Sequence, residues 1–194
     1  MRHNLTLEGH AFRLRPVTDE DAGRIVELRG DPELNRYLHV SASQLDEQLT
    51  WLVHYYERPG DYYFVVERRT NGGFEGLIAI YDIDLATKQG VWGRWILKQN
   101  SLAAVESVWL IYRIAFELLG LTGARSQTIT DNISVVSFHE SCGITSRRLL
   151  PGHFKIGERY FDAIEHWVTR ETWPTISLRL EQLSRFTARK IVSG

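Results

Sequence analysis

The stretch from Val91 to Gly120 constrains the fold of this chain more than any other. Val91-Trp92-Gly93-Arg94-Trp95-Ile96-Leu97 is rich in aromatic and branched residues, as a half-buried, pleated strand prefers. Lys98, Gln99, Asn100 and Ser101 then make a short polar loop. From Leu102 to Leu119 apolar residues recur at spacings of three and four, through Val105, Val108, Trp109, Tyr112, Ala115 and Phe116. That period predicts an amphipathic helix, and Gly120 closes it where helices often end in left-handed backbone. A strand that turns straight into a helix aims free amides and the positive end of the macrodipole beyond the turn. The junction is therefore a candidate anion site.

The flanking segments supply the rest of a layered domain. Phe12 and Leu14 alternate with Arg13 and Arg15, a half-buried strand that Pro16 ends or confines to an edge. Thr18 and the acids Asp19, Glu20 and Asp21 open a helix carrying Ala22, Ile25, Val26 and Leu28. Asp31-Pro32 predicts a second short helix through Leu34, Tyr37 and Leu38. Ser43 with Asp46 predicts a third, from Leu45 to about Glu57. Strands follow at Tyr62–Arg68 and Phe74–Ile83, around the turn signal Thr70-Asn71-Gly72-Gly73. Beyond Gly120 come a strand at Ala124–Thr130, a helix capped by Asp131 or Asn132, and strands at Ile144–Phe154 and Arg159–Val168.

The order β-α-α-α-β-β-β-α-β-α-β-β predicts an α/β fold with one mixed sheet and helices on both faces. A domain over residues 1–173 is expected, with a C-terminal helical extension over 174–194.

The chain has 194 residues, long enough for a substantial core in one domain. Its net charge of −1 provides no field that would favour nucleic acid. A single cysteine, Cys142, excludes a disulfide framework and a multi-cysteine zinc site. No apolar run reaches membrane-spanning length, and the first residues lack the apolar core of a signal peptide. A cytoplasmic protein without a membrane partner is expected.

Four stretches resemble the GNAT family of acyl-CoA-dependent N-acyltransferases. Phe12-Arg13-Leu14-Arg15-Pro16 with its acid cluster is similar to the family's opening strand and helix. Leu28 to Leu38 resembles the substrate-side helices of the subgroup containing ribosomal-protein N-terminal acetyltransferases. Gln99 to Ala104 resembles the pyrophosphate loop, Q/R-x-x-G-x-G/A. Asn132 to Ile144 resembles N-x-x-x-x-x-(L/F)-Y-E-x-x-G-F. The resemblance extends from about Phe12 to Trp173. Leu102 stands where the loop usually has its first glycine, and His139 where the family often has tyrosine.

This resemblance implies an acyl-CoA cofactor, most naturally acetyl-CoA, with no metal. Amides of Gln99, Asn100, Ser101, Leu102, Ala103 and Ala104 would cradle its pyrophosphate. Backbone groups of Trp95, Ile96 and Leu97 would pair with its pantetheine arm, near Asn132. Transfer from a thioester to an amine expels a thiolate, and His139 is the candidate acid or base. Asp82 leads the candidates for the base that deprotonates the amine, with Asp84 and Glu106 behind it.

The substrate side is expected at Arg29, Asn35, Arg36, Tyr37, Trp92 and Arg94. Guanidinium groups beside aromatic rings suit phosphates and sugar or base rings. The preferred acceptor is a small-molecule amine, specifically a nucleotide-linked amino sugar, because the central motifs look most like sugar N-acyltransferases of polysaccharide biosynthesis. Protein N-terminal acetylation, transfer to another small amine and a non-catalytic acyl-CoA-binding module are the alternatives. Exposed strands at Tyr160–Val168 and the last helix are compatible with a homodimer.

Overall fold

The computed structural model describes residues 2–37 and 43–193. Alternation along the strands decides which side chains face which helices. The sheet has eight strands: β1 (Leu7–Glu8), β2 (Phe12–Pro16), β3 (Tyr62–Arg68), β4 (Phe74–Asp84), β5 (Gln89–Leu97), β6 (Gly123–Ile129), β7 (Arg147–Ile156) and β8 (Arg159–Thr169). They lie in the order β1-β2-β3-β4-β5-β6-β8-β7. Every neighbouring pair is antiparallel except β5 and β6. The expected mixed α/β architecture is present, with a two-residue strand added at the front.

Two helices cover one face, α1 (Ala22–Gly30) and α2 (Leu45–Tyr56). Ile25, Leu28, Leu52 and Tyr55 pack there against Tyr63, Val65, Leu77 and Ala79. The opposite face carries α3 (Ala104–Arg113) and α5 (Trp173–Ser193), with α4 (Ile133–Ser141) beyond them. Phe12, Leu14, Phe64, Ile80 and Trp92 meet Val108, Ile111, Tyr112 and Leu180 in that core. Trp173 and Ile176 are buried in the same cluster, and Arg179 donates to the Ser141 carbonyl at 2.8 Å. The C-terminal helix is thus packed onto α3 and the end of α4.

Three local details depart from the sequence reading. Residues 31–37 form turns rather than a second helix. The Asp31 side chain accepts from the Glu33 amide at 2.9 Å and its carbonyl from Asn35 at 2.9 Å, giving a single turn. Such side-chain bonding competes with helix propagation. Leu38, the expected end of that helix, lies outside the described residues. At α2 the reciprocal acid is Glu47, not Asp46, accepting from the amides of Ser43 and Gln44 at 2.9 and 3.3 Å. The long helix begins at Ala104 and widens after Arg113 into a π-helical turn, Ile114–Leu118.

Candidate active site

The parallel pairing of β5 with β6 covers only Gln89, Gly90 and Val91 against Gly123, Ala124 and Arg125. Beyond Val91 the two strands diverge. The cause lies on the other edge of β5. Leu77 pairs with Ile96 and Ala79 with Gly93, so Arg94 and Trp95 together oppose Ile78 alone. One extra residue on one strand bends it locally. Arg94 takes a left-handed φ of 47°, unusual for a residue with a side chain. The edge of β5 from Trp92 to Leu97 is therefore left without a ladder partner, and a cleft of about 510 Å³ opens there.

One side of the cleft is built from Trp92, Trp95, Ile96 and Leu97 of β5, Ser126 and Thr128 of β6, Ala104 of α3, and Asn132, Val135 and His139 of α4. Unpaired main-chain groups on β5 can pair with an extended, amide-containing chain as a further strand would. The first turn of α3 adds amides that helix geometry leaves unbonded. Such a free strand edge and helix start suit an extended, amide-containing chain that carries an anion.

Of the residues expected to hold the cofactor, Trp95, Ile96, Leu97, Ala104 and Asn132 line the cleft. Gln99, Asn100, Ser101, Leu102 and Ala103 stand before α3 rather than in the lining. Asn100 takes a left-handed φ of 60°, and Leu102 is 45% exposed with its side chain outside the cleft. Asn132 is the N-cap of α4, its Oδ1 accepting from the Val135 amide at 3.4 Å.

The other side is formed by Arg29, Glu33, Leu34 and Tyr37, with Tyr81, Gly93 and Arg94 beneath and Gln127, Ile129 and Phe154 opposite. The segment after α1 is tied across both shores. The Tyr37 hydroxyl donates to the Asp131 carbonyl at 3.1 Å, and Gln99 donates to Glu33 at 3.1 Å. Asn35 and Arg36 fall outside the lining, and the Arg36 guanidinium lies over the Tyr37 ring at 5.4 Å.

Arg94 is gripped by Asp61, with bonds of 2.6 and 2.8 Å, and stacks over Tyr81 at 4.4 Å. Burial opposes the charge on Arg94, but the Asp61 carboxylate overrides it and its pKa is raised. The strained residue of the bulge is thus also the one held by the ion pair.

His139 lines the cleft but is 1% exposed. Burial, with a smaller repulsion from His166, lowers its pKa to about 3. At neutral pH it is an uncharged imidazole. It can share a hydrogen bond, as with the Ser126 hydroxyl at 3.4 Å, but it does not carry the extra proton that the expected acid requires. Among the described residues, its Nδ1 and both nitrogens of His166 have no hydrogen-bond partner although buried.

The structure does not bring Asp82 to the cleft: it is exposed, at a left-handed φ of 50°. Its neighbour Tyr81 lines the cleft instead. Asp84 caps its own turn, accepting from Ala86 and Thr87 amides at 2.8 and 3.2 Å. Glu106 is fully buried and accepts from the amides of Ala11 and Phe12 at 3.0 and 3.1 Å. Burial raises its pKa against those bonds. Glu106 therefore anchors the front of the sheet. Cys142 is also buried, which pushes its thiol up to about 11 and leaves it unreactive.

Tyr81, Ser126, Thr128, Val135 and Phe154 are lining residues that the sequence reading did not single out. Val135 had a signal, standing three residues after Asn132 and four before His139 on one helical face. Ser126 and Thr128 share a period of two. Among the described residues, no cluster of three or more His, Cys, Asp or Glu is placed to hold a metal ion. Among them, too, no helix is long and apolar enough to cross a membrane.

Comparison with known proteins bears on the family and the fold. Residues 12–145 match the acetyltransferase (GNAT) domain. A GCN5-related N-acetyltransferase from Brucella melitensis superposes with a TM-score of 0.80 at 18% identity, covering 93% of this chain and 86% of that one. FdhC, a nucleotide-linked sugar GNAT, gives a TM-score of 0.75 at 26% identity, covering 91% and 97%. A mutant of the spermidine N-acetyltransferase SpeG from Vibrio cholerae gives 0.72 at 18%, covering 84% and 96%. A search of curated proteins gives no match.

Proposed function

The chain belongs to the GNAT family of acyl-CoA-dependent N-acyltransferases, and we propose that it moves an acetyl group from acetyl-CoA to the amine of a nucleotide-linked amino sugar. The observation that carries the choice of acceptor is the scarcity of carboxylates in the cleft. Among the described residues its lining holds one, Glu33, with Arg29 and the Asp61-neutralised Arg94 among tyrosine, tryptophan and phenylalanine rings. Glu33 is already engaged by Gln99. A polyamine would need several carboxylates to replace the hydration of its ammonium groups. A sugar joined to a diphosphate instead needs cations and flat apolar surfaces.

Arg29 is the residue assigned to the acceptor's anionic part. It sits beside the buried Tyr63 hydroxyl, and no carboxylate pairs with it among the described residues. Arg94, neutralised by Asp61, presents its plane to Tyr81 and fixes the floor on which the sugar would rest. The similarity to FdhC supports the same reading.

Thiol release from acetyl-CoA tests it. A nucleotide-linked amino sugar is expected to support turnover, with the free amino sugar much weaker and spermidine inactive. Arg29→Gln is expected to raise the acceptor KM about tenfold, the worth of one charge-assisted hydrogen bond. Preference for spermidine or for a peptide N-terminus would refute this acceptor while leaving the family activity standing.

A further inference from the structure

The loop ahead of α3 lacks the glycine that would let it bend freely, and another part of the sheet shapes it instead. Glu75 of β4 is only 9% exposed. One of its carboxylate oxygens accepts from Arg68 at 2.9 and 2.7 Å. The other accepts from the Ser101 hydroxyl at 2.6 Å. That hydroxyl in turn accepts from the Ala103 amide at 3.2 Å. The Glu75 carbonyl also receives the Lys98 amide at 2.9 Å, so both ends of the loop are held by one residue.

We propose that Glu75 and Ser101 are positioning residues that set this loop's path for the diphosphate of the acyl donor, an inference that rests on the acetyl-CoA reading above. Three features make the chain of bonds more than local packing. No glycine shapes the loop: Asn100 supplies its left-handed residue and Leu102 is 45% exposed, so the bonds from Glu75 and Ser101 are what tie its path to the sheet. Ser101 satisfies the Ala103 amide, leaving the next amides, from Ala104 to Glu106, as those that helix geometry frees for an anion. Arg68 neutralises Glu75, so a carboxylate placed beneath an anion site does not repel the diphosphate.

The test compares donors with and without the diphosphate. CoA affinity is measured by calorimetry, and kcat/KM with acetyl-CoA and with acetyl-pantetheine, which ends before the phosphates. Ser101→Ala and Glu75→Ala are each expected to weaken CoA about tenfold, since each breaks the same charge-assisted bond. Acetyl-pantetheine kcat/KM should stay within about twofold, and Ser101→Thr should restore CoA affinity. The double variant should be no worse than either single one, because the residues act through one chain of bonds.

Equal losses with both donors would mean general damage to the fold and overturn the proposal, as would unchanged CoA affinity in Ser101→Ala. Failure of the unaltered chain to bind CoA would instead overturn the donor reading beneath it.

Discussion

Burying a neutral histidine against a second one makes the stability of this fold depend on pH. His139 has a pKa of about 3 in the folded chain against an ordinary value of 6.5. Between those values the unfolded chain takes up a proton that the folded chain refuses. The stability is therefore fully present above about pH 6.5 and is lost as pH falls towards the folded value. Each pH unit inside that window is worth about 1.4 kcal/mol, so His139 alone removes on the order of 2–3 kcal/mol between roughly pH 7 and pH 4.5.

His139→Phe keeps a ring against Trp92 and His166, whose centroids lie 5.4 and 4.7 Å away, and removes the titration. Urea unfolding followed by tryptophan fluorescence at the two pH values gives the slope for each protein. The unaltered chain should lose on the order of 2–3 kcal/mol more than the variant over that interval. Any constant cost of the substitution cancels in the comparison. The lowered pKa of His166, also a result of burial, remains in both proteins. Parallel pH dependences would refute the assignment of His139 as a buried neutral group.

Two further outcomes follow from the buried carboxylates. Asp61→Ala leaves Arg94 without its partner in a half-buried place and is expected to cost about 3 kcal/mol in urea unfolding; it should also slow acetyl transfer, because the bulge at Arg94 shapes the cleft floor. Glu106→Gln weakens the bonds to the Ala11 and Phe12 amides and should destabilise by about 2 kcal/mol, while kcat measured by thiol release stays near that of the unaltered chain.

The elements with a strong period were legible in the sequence. The strand-loop-helix junction and the alternation of Phe12 and Leu14 appear as read, and the three-and-four spacing holds through α3 up to the π-helical turn at Ile114. The segment after α1 was not, because Asp31 bonds to its own following backbone and halts the turn that Pro32 would have started. The bulge that opens the cleft left no local mark either. Its Arg94 meets Asp61, 33 residues away, and such a pair is invisible until the strands are laid side by side. The same holds for Glu106, whose partners are the amides of Ala11 and Phe12. His139 was found by its place in a motif, but its charge state came from the rings packed around it. Asp82 illustrates the opposite failure: an acid at a strand's end reads as available, and only the folded strand shows that its neighbour Tyr81 lines the cleft while Asp82 is exposed.

The central claim is that the edge of β5 freed by its divergence from β6, together with the first turn of α3, receives the acyl donor. Amide hydrogen exchange with and without CoA tests it most directly. Slowed exchange is expected at Trp95 to Leu97 and at Ala104 to Glu106. No change is expected around the separate hollow of about 280 Å³ lined by Gln89, Thr122 and Trp167. Protection at that hollow, with β5 and α3 unchanged, would contradict the account.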